Sequence, residues 1–230
     1  MSVCIVEESV AELFSAHRLD NFEALWSLPR DWVEPVNIRK GGWSGVVQVT
    51  LDGVTFYVKR QHGQRRRGRS FPWASRPTYF HEYQTLKYLA ALGVPVVQWA
   101  LYAERGDDAV LVTRAASGFV DLKALTAMGD GPLLTKAACR ISETLSLMHR
   151  TGWQHGACYP AHILIHPGTL QIRLIDLERS RHRWLRRSAC KADLDQLHRR
   201  APDLPAPILL LLTTAAPGFY PSFNHKEAFS

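Results

Sequence analysis

The side chains with chemical capacity gather around one stretch, Trp153 to Arg181. His155 and His162 stand in a polar loop, His155-Gly-Ala-Cys-Tyr-Pro-Ala-His162, and a lone carboxylate, Asp176, follows the apolar run Ile172-Arg173-Leu174-Ile175. Imidazoles move protons or bind metals, and a carboxylate binds hard cations. Farther upstream, Gly41-Gly42-Trp43-Ser44-Gly45 supplies glycines whose backbone N–H groups can approach a phosphate closely. Lys59 offers a compact cation for phosphate oxygens. Glu82 falls on the first turn of a helical pattern, where a carboxylate is favourable without any catalysis. Hairpins also use glycine, so the glycine cluster gains weight only from Lys59 at the end of a later strand.

The elements that must position these groups can be read from the period of the sequence. Ile163-Leu164-Ile165 and Ile172 to Ile175 are β-branched runs separated by His166-Pro167-Gly168-Thr169, which predicts a hairpin with Asp176 just beyond it. Residues 7–26 read as helical, with Asp20-Asn21 breaking the run and capping a second short helix. From Val36 the period changes to two. Val36 to Lys40, Val46 to Leu51 and Val54 to Arg60 read as strands, the last two joined by an Asp52-Gly53 turn. Tyr79 to Leu92 is a helix stopped by Gly93, and Val94 to Tyr102 and Ala109 to Thr113 complete a five-stranded set. Arg114 to Val120 is a linker of small residues. Beyond it the pattern is helical: Asp121 to Met128, then Pro132 to Arg150 with Leu134, Ala138, Ile141, Leu145 and Met148 on one face. After the hairpin come a basic segment, 179–191, a helix near Ala192 to Arg199, and a last apolar helix from Pro205 to Thr214.

At 230 residues and 46% hydrophobic, the chain can bury a sizeable core in one domain or two small lobes. The net charge of +7 is concentrated in residues 59–69 and 173–191, which favours anionic partners: phosphates, nucleic acid or an acidic membrane face. The four cysteines are dispersed and form no zinc or redox motif. His149, His155, His162 and His166 match no zinc spacing, and Gly42-Trp43-Ser44-Gly45 is not a nucleophile elbow. The N-terminus lacks a basic region and a long apolar run, so the expectation is a cytoplasmic protein that at most touches a membrane surface.

The order glycine-rich turn, Lys59, Glu82, long helix, His155 loop and Asp176 resembles the protein-kinase-like fold. The His155 to His162 loop, followed by Ile175-Asp176-Leu177-Glu178-Arg179 and by Lys191-Ala192-Asp193-Leu194-Asp195-Gln196-Leu197, resembles the lipopolysaccharide core kinases, the Kdo and heptose kinases with the small InaA-type proteins. The likeness covers roughly residues 36–200. It implies an α+β, bilobal fold: residues 1–114 as an N-lobe with a small antiparallel sheet, and 115–230 as a mainly helical C-lobe, with the nucleotide base at the linker. It further implies ATP and Mg²⁺ as cofactors, with Gly41, Gly42 and Gly45 near the phosphates. Lys59 would hold the α- and β-phosphates, Glu82 would orient Lys59, and Asp176 would bind Mg²⁺. His162 would stand at the second metal position, in a positioning role. The implied acceptor is the lipopolysaccharide core or another phosphorylated sugar-lipid, and no specific nucleic acid is expected. The chain departs from the pattern at Ala157, where the family's catalytic Asp belongs, and at Gly156, where Arg is usual. Alanine cannot accept a proton. Either transfer proceeds with His155 or another carboxylate substituting, or the protein is a pseudokinase that binds nucleotide or a partner. The rival from another class is a nucleic-acid-binding module built on the 59–69 cluster with Phe71 and Trp73.

Overall fold

The period-two stretches form an antiparallel sheet. In the computed structural model, which describes residues 2–39, 41–67 and 75–214, the chain divides into two units. One comprises Met1–Ala91 with Val96–Ser117, the other Leu92–Pro95 with Gly118–Ser230. The first unit contains β1 (Ser2–Val6), α1 (Ala11–Ala16), α2 (Phe22–Trp26), β2 (Asn37–Arg39), β3 (Gly42–Leu51) and β4 (Val54–His62). It continues with the short pair β5 (Arg65–Arg67) and β6 (Ser75–Pro77), then α3 (Thr78–Ala91), β7 (Trp99–Arg105) and β8 (Asp108–Arg114). The main sheet is six-stranded, in the order β1-β7-β8-β4-β3-β2. The five-stranded expectation is corrected by β1, an exposed edge strand paired with β7 from Ser2↔Arg105 to Val6↔Leu101. Its short apolar run shows no alternation. The strand expected from Val94 begins only at Trp99. Phe71 and Trp73, on which the nucleic-acid reading leaned, lie outside the described residues.

Strand parity sets the two faces of this sheet. Phe56, Val58 and Arg60 of β4 point to the side covered by the N-terminal segment, where Phe14, Phe22, Leu25, Val47 and Leu51 join them in the core. Each such side chain, fully buried, contributes about 1.5–3 kcal/mol. Asn21 caps α2 through its side-chain oxygen and Ala24 N (3.0 Å), as the break at Asp20-Asn21 predicts. Arg60 is 1% exposed and remains charged in that core because its guanidinium donates to the carbonyls of Trp26 (2.8 Å), Leu28 (2.7 Å) and Pro29 (3.0 Å). It also lies 4.6 Å over the Trp32 ring. The opposite parity, Lys59 and Gln61, faces α3.

The second unit contains β9 (Val120–Asp121), α4 (Leu122–Ala127), α5 (Gly131–Arg150), β10 (Trp153–Gln154), β11 (Ile163–Ile165), β12 (Ile172–Leu174), β13 (Arg181–His182), α6 (Arg186–Arg200) and α7 (Ala206–Thr214). Asp121 caps α4 through Ala124 N (2.7 Å), and Asp130 caps α5 through Leu133 N (2.9 Å). The predicted apolar face of α5 is the buried one. The expected hairpin is present, with Ile163 opposite Leu174 and Ile165 opposite Ile172, and β9 extends it to three strands. The basic segment read as a loop to residue 191 is helical from Arg186. Arg, Ala and Lys are good helix formers, and Ala189, Cys190, Leu194 and Leu197 bury one stripe of α6.

Candidate functional site

In the first unit the site is built from β4 and α3. Gln61 Oε1 accepts hydrogen bonds from Thr78 Oγ1 (2.5 Å) and Tyr79 N (3.0 Å), which fixes the start of α3 against the strand. That registers Glu82, one turn further on, beside Lys59. Lys59 Nζ donates to Glu82 Oε1 at 2.6 Å, with Glu82 wholly buried and Lys59 16% exposed. A pair this buried carries a large desolvation cost that close geometry must offset. The Lys59 ammonium also lies 5.9 Å from the centre of the Tyr79 ring.

The glycine cluster has a different explanation from the expected one. Gly42 and Gly45 lie within β3, not in a turn. A Cβ on Gly42 would stand 2.3 Å from the His62 carbonyl oxygen, and one on Gly45 would stand 2.6 Å from the Trp32 ring. Close packing therefore requires glycine at both positions. Only Gly41, at φ +78° with open space around its would-be Cβ, is a turn glycine of the kind a phosphate approach needs.

In the second unit α6 holds the loop that contains both histidines. Asp193, fully buried, accepts from the backbone N–H of His155 (2.7 Å) and of Gly156 (2.9 Å) and from His149 Nε2 (2.9 Å). Gln196, one turn along, accepts from Cys158 N at 2.6 Å. Ser180 Oγ closes the loop from the other side by donating to the His155 carbonyl (2.9 Å). Gly156 has φ +76°, and a Cβ there would lie 2.4 Å from the Arg179 carbonyl oxygen, so the Arg expected at this position does not fit. Asp193 and Gln196 went unassigned in the sequence. Their signal is a pair of polar residues at i, i+3 on the apolar stripe of a helix.

His155 is fully buried, and that burial, partly opposed by Asp193, lowers its pKa to about 4. It is thus neutral, and its Nδ1 lone pair accepts from Ala157 N at 3.3 Å. With no exposed surface, the imidazole is closed off from solvent in this conformation. This corrects the reading of His155 as the substitute base: it braces the loop from inside. Burial likewise pushes the Cys158 thiol well up, so it is no nucleophile.

His162 and Asp176 come together at the surface of this unit. His162 Nδ1 lies 2.8 Å from the Ala157 carbonyl, which only accepts, so Nδ1 carries a proton. His162 Nε2 lies 3.3 Å from Asp176 Oδ2. Two lone pairs cannot favourably face each other at that distance; the gap suits either a second imidazole proton or a shared cation. Asp176 sits in the left-handed region at φ 58°, ψ 58°, unusual for a residue other than glycine and often a mark of a functional constraint. Among the described residues no set of three ligand side chains assembles. Asp176 offers an oxygen ligand of the kind Mg²⁺ prefers, with the other ligands coming from water and phosphate, whereas the His162 imidazole is a poor ligand for so hard a cation and suits a positioning role.

A sequence model of the lipopolysaccharide kinase (Kdo/WaaP) family matches residues 23–210. Protein InaA of Escherichia coli (strain K12) is 31% identical over 198 residues, 82% of this chain and 91% of the relative. A solved structure of WaaP in complex with acyl carrier protein superposes with a TM-score of 0.67 over 93% of this chain and 88% of that one, at 23% identity. This last likeness shows the fold: a protein-kinase-like α+β architecture.

Proposed function

Since the chain belongs to the lipopolysaccharide kinase (Kdo/WaaP) family, we propose that it is an ATP-dependent phosphotransferase whose acceptor is a sugar hydroxyl of the lipopolysaccharide inner core, a Kdo or a heptose. The observation that carries this reading is the closed Lys59–Glu82 pair at 2.6 Å. It is the arrangement that aims a strand lysine at nucleotide phosphates. Lys59 would hold the α- and β-phosphates, and Gly41 would let the backbone of its turn come near them. Asp176, with His162 beside it, would hold Mg²⁺, which when bound neutralises charge on the phosphates. The acceptor oxygen then bonds to the γ-phosphorus as the bond to the β-phosphate oxygen breaks. The hydroxyl proton leaves to solvent or to the transferred phosphoryl group, since Ala157 cannot take it. In a loose transition state positioning and charge stabilisation dominate, so such a site retains most of its means of acceleration. A sugar-lipid acceptor places the work at a membrane surface; among the described residues no helix is long and apolar enough to cross a membrane.

Ala157 favours a second reading, nucleotide or partner binding without transfer. Two measurements separate them. Mg-ATP at about one hundred times its Kd should raise the melting temperature by about 5 °C or more, and Lys59→Ala or Asp176→Ala should remove the effect. No shift in the wild type, or the same shift in both variants, contradicts the nucleotide site. Mass spectrometry of lipid A–core from cells lacking the protein should then show a missing phosphate. An unchanged phosphate pattern alongside intact ATP binding selects the second reading.

A further inference from the structure

Between β13 and α6 the chain reads Arg181-His182-Arg183-Trp184-Leu185-Arg186-Arg187. Trp184 is 86% exposed and Leu185 73%. Scattered exposed apolar residues are ordinary, but two in succession, bracketed by guanidinium groups on both sides, need a reason. The base of this segment is firmly held. Arg183 N donates to the Gly152 carbonyl at 2.7 Å, and Arg181 Nε and Arg183 Nε both donate to the buried Gln154 Oε1, at 3.1 and 2.7 Å. Their partner is a neutral amide, so both arginines keep their charge uncompensated. Arg186 and Arg187 occupy the first turn of α6, which has no acidic residue. The helix dipole disfavours cations there, so this placement does not serve the helix. None of the four forms an ion pair among the described residues.

We propose that this segment docks the protein on an anionic lipid bilayer. Trp184 and Leu185 enter the interfacial layer, where an indole with its apolar body and N–H is well accommodated. The four arginines engage lipid phosphates, which they bind as planar forks. The charge decides for an anionic surface over a neutral one. Leu185 decides against nucleic acid, which offers it no apolar layer. The segment follows Asp176 closely in the same unit, so a membrane held here would bring lipid-linked acceptors toward that carboxylate. The docking itself is independent of phosphoryl transfer.

The full chain is tested by co-sedimentation with vesicles of phosphatidylglycerol and phosphatidylcholine, and with phosphatidylcholine alone. Binding is expected only to the anionic vesicles, weakening as salt rises. Arg186→Gln with Arg187→Gln should lower the partition coefficient by about fivefold per arginine, and Trp184→Ala with Leu185→Ala by about tenfold or more. Both pairs are exposed, and unchanged circular dichroism and melting temperature verify that the variants fold. Failure of the wild type to bind, or equal binding by the Trp184/Leu185 variant, overturns the proposal. So does loss, in that variant, of binding to an acidic soluble protein when vesicles bind neither form. The Mg-ATP melting shift does not depend on any of these outcomes, so a failure here is distinguishable from failure of the kinase reading.

Discussion

Removing the Asp193 carboxylate should unlatch the histidine loop and destabilise the second unit. Asp193 receives three hydrogen bonds in a fully buried setting, from His155 N, Gly156 N and His149 Nε2, at 2.7, 2.9 and 2.9 Å. A hydrogen bond to an ionised group contributes about 1.5–3 kcal/mol, so three taken independently come to about 5–9 kcal/mol. Asp193→Ala leaves space for water, which recovers part of that. The expected loss is therefore about 3–5 kcal/mol, the range seen when one partner of a buried charged pair is removed. Asp193→Asn preserves shape but has a single acceptor oxygen. Turned toward His155 N and His149, it forfeits the Gly156 bond, for a loss of about 2 kcal/mol. Urea denaturation followed by circular dichroism measures both. With a slope of about 2 kcal/mol/M, Asp193→Ala should lower the midpoint by about 2 M and Asp193→Asn by about 1 M. Gln196→Ala, which frees Cys158 N from its 2.6 Å bond, should couple with Asp193→Ala by more than about 0.5 kcal/mol, because both hold one loop. A midpoint for Asp193→Ala within about 0.5 M of wild type would show that the loop keeps its conformation without this latch, and the reasoning fails.

Two further effects follow from the same geometry. His155 has a pKa of about 4 in the folded protein against 6.5 for a free imidazole, so between these values the unfolded chain binds a proton that the folded chain does not. Stability therefore falls as pH drops through this window, by about 3 kcal/mol at its lower end, and His155→Gln should flatten the fall in urea midpoint between pH 7 and 5. An unchanged slope in that variant would place the titrating group elsewhere. Gly45→Ala would set a methyl 2.6 Å from the Trp32 ring, disturbing its stack on Arg60, at a cost of about 1–3 kcal/mol in the melting of the first unit; a neutral result would mean that the indole yields freely.

What could be read in the sequence was local. Strand-like runs marked β3, β4 and β8, and the Asp20-Asn21 break marked the start of α2, because each signal lies within a few residues of its effect. The Lys59–Glu82 pair became legible only through the order of the elements, since nothing within either stretch points to the other. Glycine is ambiguous at Gly42 and Gly45, because a phosphate approach and a tight sheet contact demand the same missing Cβ. Asp193 was invisible for the opposite reason. The groups it bonds are 37 to 44 residues away, and a carboxylate on a helix reads as solvated until the fold brings orphaned N–H groups against it. The burial of His155 was hidden in the same way.

These latches bear on the substitution at Ala157. Asp193 and Gln196 hold the loop through the N–H groups of residues 155, 156 and 158, Ser180 through the carbonyl of 155, and His162 through the carbonyl of 157. All of these bonds are to main-chain atoms, and none uses the side chain at 157. The loop conformation is thus held without any bond from that side chain, and the methyl of Ala157 leaves these main-chain bonds in place. Asp176 is different. Its left-handed backbone costs about 1 kcal/mol, held by neighbouring bonds such as Ile175 N to the His162 carbonyl at 3.1 Å. That left-handed residue stands beside His162 Nε2, while Ala157 is buried. On the proposed function, phosphate and cation are bound and oriented by the groups that remain, and transfer must draw its acceleration from that placement.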